Sequence, residues 1–368
     1  MVQGYGRDKE YIFEGAFALE GVGRPYRVQV LLGKSKAIRK YLPQNNVVIE
    51  YRNDPASIQY DDRIEIQQPL FLAIDEIWAY INQPTLNPQV HISENAYIFD
   101  IKLFNKETIR EAVLNAITHR SMIVQNDVVI KQSPGELTIT NAGGFPIGVD
   151  KSNVLTVNST PRSKRLAEVL QKTGLVEKSG QGVDKMFTNC VMEAKPLPDF
   201  SATDDYQVSL KFRTEIRDVS FLVYIRQEQS KRPQHHKLNV FQLIAIYNVC
   251  FGDGIEVKQD VIDGMVEDGI LLRSKTGKIS MSKDYQSIYS EIHSTKSVNW
   301  IGALKACAAK YDGMVTRKTY MEFLPDWISV DKVRYSLSKL EAMNALKREG
   351  TGKGTKYYVI SIPEIIDI

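Results

Sequence analysis

The sequence predicts an α+β fold: a mixed sheet with helices on one face, followed by two helical units that each end in a short pair of strands. Three observations predict it. Residues 107–120 repeat apolar positions with helical spacing, and two alternating strands follow at once, over 124–131 and 136–140, joined by Ser133-Pro134-Gly135. Glycines then punctuate helices, with Gly174 closing one over 165–173 and Gly180 and Gly182 opening another over 183–193. From Arg213 onward long alternation stops, and helices followed by paired short strands occur twice.

In chain order, Arg27 to Leu32 and Val47 to Tyr51 read as strands, and Pro69 to Asn82 as a helix with proline at its start. Pro84 and Pro88 mark a break. Asn141 to Pro146 is a loop, Lys151 to Arg162 is polar, and Tyr206 to Phe212 alternates like a strand. Leu238 to Cys250 and Val257 to Asp268 are helices, followed by strands at 270–273 and 279–281. Helices then cover 300–311, 317–323 and 329–343, with Ser329 as N-cap. Strands at 346–348 and 356–360 flank the glycine-rich 349–355. Helices followed by a basic, glycine-rich hairpin make the pattern of a winged helix. The expected domains are 1–90, an N-terminal α/β segment; 91–212, the central domain; 213–294, a first winged-helix-like unit; and 295–368, a second.

The chain has 368 residues, 43% hydrophobic and 25% charged, with a net charge of +3. It can bury real cores, and its charge is too small to name a partner. Cys190, Cys250 and Cys307 lie far apart, without metal-ligand spacing. They fit a reduced, cytoplasmic compartment. The first residues show no signal-peptide pattern, and no apolar run is long enough for a membrane, so no membrane partner is expected.

The chemistry concentrates on one helix. Glu111, Asn115 and His119 recur every four residues and share one face, while Ile109, Ala112, Val113, Ala116 and Ile117 form a separate apolar side. Such a row can present oxygen and nitrogen to a metal–phosphate ligand. Asn115 can supply an oxygen to Mg²⁺, and Glu111, one turn earlier, can orient or deprotonate water. Gly143 and Gly144 permit close backbone approach, and Gly180 and Gly182 put N–H groups at a helix N-terminus, where an anion is favoured. The plain reading is a polar face with Glu111 bonded to an arginine. The ordered glycine pairs favour the ligand reading. Arg120 can face phosphate or pair with Glu111. Arg162 can contact phosphate from the lid but reads first as a solvated loop arginine, and His235-His236 reads as linker, since no matching Cys or His accompanies them.

The order Glu-x-x-x-Asn-Ala-x-x-His, Asn-x-Gly-Gly and Ser-Gly-x-Gly resembles the N, G1 and G2 boxes of the Bergerat (GHKL) ATP-binding fold, an α/β sandwich. Over residues 25–212, and most closely at 109–120, 141–146, 161–162 and 174–182, the chain resembles the divergent "RecG-like C-terminal" branch. That branch occurs in Schlafen/AlbA-type bacterial transcriptional regulators, where winged helices follow. The resemblance implies ATP and Mg²⁺ as cofactors, Glu111 as general base and Asn115 as metal ligand. Asn141 stands where other members read adenine with an aspartate. Gly143, Gly144, Gly180 and Gly182 line the nucleotide, and His119 belongs to the same set as a supporting group. A Schlafen/AlbA-like domain usually precedes this region, and the sequence ahead of it is expected to be too short to hold one. No Gly-x-x-x-x-Gly-Lys-Ser/Thr loop occurs, so a P-loop helicase is not expected.

Lys332 to Lys356 carries a net +5 over 25 residues. Lys332, Arg334 and Lys339 lie on a helix that can enter a major groove, and Lys353 and Lys356 on a wing that can hold phosphates. Double-stranded DNA is therefore the expected partner. The earlier unit has Asp260, Asp263, Glu267 and Asp268 on its second helix, a poor groove reader, and is expected to be structural or a dimer contact. The expected function is that of an ATP-binding, DNA-binding transcriptional regulator in which nucleotide state repositions the winged helices, the segment 151–178 closing as a lid. Weak ATP hydrolysis, a non-catalytic regulator with a degenerate pocket, a protein-interaction scaffold and a homodimer remain open alternatives.

Overall fold

The computed structural model describes residues 31–363, except 32, 44, 95–96, 122, 158–160, 163, 176–180, 295–298, 325–327, 329 and 351–353. Gly180, Lys353, the Ser329 cap and nearly all of the strand expected at 27–32 therefore lie outside the described residues. Leu31, the exception, is helical rather than extended.

The first elements are α1 (Ser35–Tyr41), β1 (Val47–Tyr51), β2 (Asp62–Ile66), α2 (Leu70–Ile81), β3 (Gln89–Glu94), β4 (Tyr97–Lys102), α3 (Lys106–His119), β5 (Val128–Gln132), β6 (Glu136–Ala142), α4 (Lys164–Lys172), α5 (Gln181–Met192) and β7 (Gln207–Arg213). One sheet has the order β2-β1-β5-β6-β7. Only β1 and β5 run parallel, with Ile49 opposite Ile130. The chain between them must therefore cross over, and α2 and α3 lie on that path. Strands from both expected segments, 1–90 and 91–212, thus share one sheet.

One face of this sheet is apolar. Val47, Ile49, Val128, Ile130, Leu137, Ile139, Leu210 and Phe212 form a single buried cluster with apolar residues of α2, α3, α4 and α5. This is the predicted mixed sheet with helices on one face. At about 25 cal/mol per Å² of apolar surface removed from water, burial of this kind dominates the stabilisation of such a layer.

The helix α3 begins where the local chemistry requires. Asn105 caps it, accepting from the N–H groups of Glu107 at 3.0 Å and Thr108 at 3.2 Å. The Asn105 amide donates to Glu193 at 2.7 Å. Glu193 in turn holds the Lys195 ammonium at 2.6 Å, and Lys195 also donates to the carbonyls of Lys102 at 2.7 Å and Leu103 at 2.9 Å. This buried lysine ties the start of α3 to the end of α5.

Several elements escaped the sequence reading. β2 carries Asp62, Arg63 and Glu65 and has the look of a loop; its position at the sheet edge tolerates those charges. The β3–β4 hairpin does alternate, with Ile92 opposite Phe99 and Val90 opposite Ile101. The next helix, α6 (Val219–Ser230), begins with a run of β-branched and aromatic residues that hides helical spacing because Phe221, Leu222, Val223, Tyr224 and Ile225 are all buried.

Beyond α6 come α7 (Val240–Phe251), α8 (Gln259–Glu267), β8 (Leu271–Arg273), β9 (Ile279–Met281) and α9 (Lys283–Ser294). The remainder comprises α10 (Trp300–Lys310), β10 (Met314–Val315), α11 (Arg317–Met321), α12 (Val330–Ala342), β11 (Leu346–Glu349) and β12 (Lys356–Val359). The chain divides into two compact units, up to Tyr289 and from Ser290. In the first, α7 packs against α5 through Phe187, Val240 and Ile244. The second has its own core, in which Trp300, Leu304, Tyr320, Val333, Leu337 and Leu346 are buried, and its sheet runs β10-β12-β11. Among the described residues no helix is long and apolar enough to cross a membrane.

Replacing Lys195 with Met keeps the buried stem but strips the ammonium from two carbonyls and from Glu193. The variant is expected to lose about 2–4 kcal/mol of stability. Urea unfolding of the full chain checks this, and an unchanged midpoint would remove Lys195 from its bridging role.

Candidate functional site

The polar row on α3 survives folding as a row. Glu111 is only 4% exposed, and Asn115 and His119 are half-buried along the same face. Eight residues at 1.5 Å each place Glu111 and His119 about 12 Å apart along the axis. A different feature of the tertiary structure marks each end.

At the Glu111 end stands the start of α5. A Cβ added to Gly182 would lie 2.6 Å from Glu111 Oε2 and 3.7 Å from Asn115 Nδ2. A side chain at 182 would therefore displace the end of the Glu111 carboxylate. The apposition brings together two sequence motifs that lie 71 and 67 residues apart. It is held by contacts one and two turns along the same helix faces. Asn189 donates to Glu107 and to the Thr108 hydroxyl, both at 3.2 Å, and Lys185 pairs with Glu107 at 3.1 Å. Burial alone would raise the Glu107 pKa, but the bonds from Asn189 and Lys185 outweigh it and hold the carboxyl below its ordinary value.

At the His119 end lies the glycine loop after β6. Gly143 has φ +83°, a left-handed conformation that favours glycine. A Cβ there would sit 3.0 Å from Ser121 Cβ and 3.3 Å from the Arg162 guanidinium. Gly144 is closed off by backbone, its Cβ position being 2.6 Å from the Asp204 carbonyl. The N–H groups of both glycines are engaged, Gly143 donating to Tyr206 O at 2.6 Å and Gly144 to Asp205 O at 3.1 Å. The glycine pair thus lets the turn before β7 run against the loop.

Arg162 is more than a solvated loop residue. Its guanidinium donates a short bond to Gly144 O and a longer one, 3.5 Å, to Phe145 O. The clamp acts on the two main-chain carbonyls of Gly144 and Phe145, which leave no side-chain pattern from which it could be read. Arg120 is buried and donates to Asn126 O through a short bond. Burial pushes the His119 imidazole below its ordinary pKa, and the Arg162 cation pushes in the same direction. His119 Nδ1 is buried without a hydrogen-bond partner among the described residues.

Asn141 is 4% exposed and sits at the end of β6, opposite Val208 of β7. Its amide donates at 3.5 Å to the carbonyl of its own neighbour, Ala142. Ala142 O accepts from Ser121 N at 2.7 Å, which joins this strand end to the end of α3.

The donor set fits a hard cation shared with phosphates. Glu111 and Asn115 supply oxygen, the ligand type Mg²⁺ takes, and Mg²⁺ is usually held by few protein groups. Among the described residues no group of three or more His, Cys, Asp or Glu is placed to hold a metal. A cation here would need oxygens from its ligand.

In the second unit the exposed face of α12 carries Lys332, Arg334 and Tyr335, while Val333, Ser336, Leu337 and Leu340 face the core. Arg334 pairs with Asp331 at 3.1 Å on the open surface. Lys339 lies 5.7 Å from the Tyr335 ring centroid. On the hairpin, Lys347 is opposite the exposed Tyr358 and Glu349 is opposite Lys356.

Residues 125–212 match the family described as "Putative ATP-dependent DNA helicase recG C-terminal", which supports an ATPase-like domain in this part of the chain. The match includes the glycine loop and Gly182 but stops short of Glu111 and Asn115. No curated protein matches the chain. Among solved structures, the DIP2311 protein from Corynebacterium diphtheriae is similar at 17% identity and a TM-score of 0.57, over 67% of this chain. The chain spans about half (53%) of that structure, and the likeness is one of fold.

The depressed His119 pKa has a consequence for stability. The unfolded chain takes up this proton at a higher pH than the folded chain, so stability falls as pH drops below about 6.5. His119→Gln is expected to flatten that part of the curve, as read by urea midpoints from pH 7.5 to 5. Parallel curves for the two proteins would contradict it.

Proposed function

We propose that the central domain binds a nucleoside triphosphate with Mg²⁺ along α3, and that the second unit docks on double-stranded DNA as part of a nucleotide-responsive transcriptional regulator. One observation carries the nucleotide reading: Gly182, at the start of a helix, packs against Glu111 and Asn115. A helix N-terminus favours phosphate, and the adjoining Glu111 carboxylate, with the Asn115 amide beside it, suits the accompanying cation. The family match over 125–212 supports the same class of ligand. The ligand would lie with its phosphates toward Gly182 and its base toward Asn141, with Asn115 on the metal and His119 and Arg162 between. Bound Mg²⁺ would supply charge neutralisation of the phosphates; this chain's own residues bind and orient.

Hydrolysis is the finer question. Glu111 would orient water, but it is 4% exposed and its carboxylate lies against the start of α5. That burial favours a second reading, a site that binds without turning over. Titration calorimetry with ATP–Mg²⁺ separates these. Wild type is expected to bind and Asn115→Ala to bind at least about tenfold more weakly, as loss of a charge-assisted contact implies. Absence of wild-type binding ends the proposal. Phosphate release that disappears in Glu111→Gln would exclude the binding-only reading.

For DNA, support comes from the element order α10-β10-α11-α12-β11-β12, which suits a winged helix, and from the basic face of α12. Fluorescence anisotropy on duplex DNA is expected to show affinity falling with salt. The double variant Lys332→Glu, Lys356→Glu should lower the log–log salt slope by about 2. A slope indifferent to both charges would argue against docking through this face.

A further inference from the structure

We infer that α12 reads bases through Tyr335 while its cations hold phosphates, so that the second unit selects duplex sites by the methyl group of thymine. This rests on the DNA reading above and concerns which side chain recognises sequence and which base it recognises. The observation behind it is the order of side chains around α12.

Residues of a helix step about 100° around its axis. Val333, Ser336, Leu337 and Leu340 are buried and fix the direction of the core. Opposite that direction, along the middle of the exposed face, run Asp331, Tyr335, Ser338 and Ala342, all exposed. Lys332 and Lys339 lie together on one flank of this line, and Arg334 lies on the other. The centre of the face thus carries one large side chain among small ones, and the cations stand at its margins.

The major groove of B-DNA is about 12 Å wide, and a helix with its side chains nearly fills it. A helix seated with its exposed face inward puts its flanks against the phosphates of the two walls and its centre line against the base edges. On α12 the flanks carry the charges that phosphates attract. Ser338 and Ala342 are too short to hold the helix off the groove floor. Tyr335, 57% exposed, is the side chain that projects from the line. The Lys339 ammonium, one turn on, lies 5.7 Å from its ring centroid, a contact that favours one setting of the ring. Asp331, at the start of the line, is bonded to Arg334 at 3.1 Å, and that pairing offsets the charge a carboxylate would bring toward DNA.

A tyrosine offers a ring edge and a hydroxyl. On the groove floor thymine alone carries a methyl group, and it presents the O4 acceptor beside it. The ring suits the methyl, and the hydroxyl can donate to O4. Readout by Tyr335 therefore favours thymine, while Lys332, Arg334 and Lys339 add affinity that is independent of sequence.

The test starts from the full chain and a pool of random duplexes, from which the bound sequences are recovered. At least one thymine position is expected to be enriched. Fluorescence anisotropy then compares the selected duplex with one in which uracil replaces that thymine, a change that removes only the methyl group. Wild type is expected to bind the uracil duplex about fourfold more weakly, the worth of one methyl group taken out of water. In Tyr335→Ser the ratio should fall to about one, whatever happens to affinity as a whole. In Lys332→Gln the ratio should stay at its wild-type value while the log–log salt slope drops by about 1. Four results overturn the inference while leaving DNA docking intact: a pool without an enriched thymine, a uracil duplex bound as well as its thymine counterpart, an undiminished ratio in Tyr335→Ser, or a ratio lost in Lys332→Gln. Failure of wild type to bind any duplex overturns the docking and the inference together.

Discussion

The packing of α5 on α3 is the constraint on which the rest of this architecture depends. α3 is buried on its apolar side against the sheet, and that burial fixes which side remains for the polar row. α5 closes over the polar side at one end only. Its last turn is tied through Asn105, Glu193 and Lys195, and its middle through Asn189 and Lys185. With those anchors the start of α5 lies against Glu111, and a side chain at 182 would push on the end of the Glu111 carboxylate. A close-packed interior transmits such a demand over several turns of helix.

The same logic separates the two glycine motifs, which look alike in sequence. Gly182 leaves room beside side chains that carry chemistry. Gly143 and Gly144 leave room for backbone, and their N–H groups are already bonded to the turn before β7. Gly182 thus stands beside the polar row of α3, and Gly143 and Gly144 shape the loop around which Arg162 folds. That arginine brings a cation toward His119, whose ring is held neutral by burial first and by that charge second. The row on α3 therefore presents an acid at one end and a neutral imidazole at the other, with an amide between.

Much of the central fold was legible because it follows period. The 3.6-residue repeat of α3 and the alternation of β5, β6 and β7 appear in the residues themselves, whereas the Asn105 cap emerged only in the structure. What was not legible had its period masked. α6 is buried on nearly every side, so its run of Phe221 to Ile225 carries no amphipathic signal. β2 is an edge strand whose charges are tolerated because one side of its backbone pairs and the other meets water. In the second unit, the helices and the hairpin stand close to where spacing put them, since their cores use ordinary apolar positions such as Val333, Leu337 and Leu340.

The residues of the candidate site were named by sequence alone, because side-chain type and a four-residue spacing on a helix are local properties. Glu111, Asn115 and His119 share a face in any helix. Which of them meets which glycine is not local. Only the tertiary structure places Gly182 against Glu111 and Asn115 and sets Arg162 on the carbonyls of the glycine loop. Those contacts join residues that are many tens of positions apart or depend on the exact course of a turn. They are decided by how sheet and helices close around a common core, which no short stretch of sequence contains.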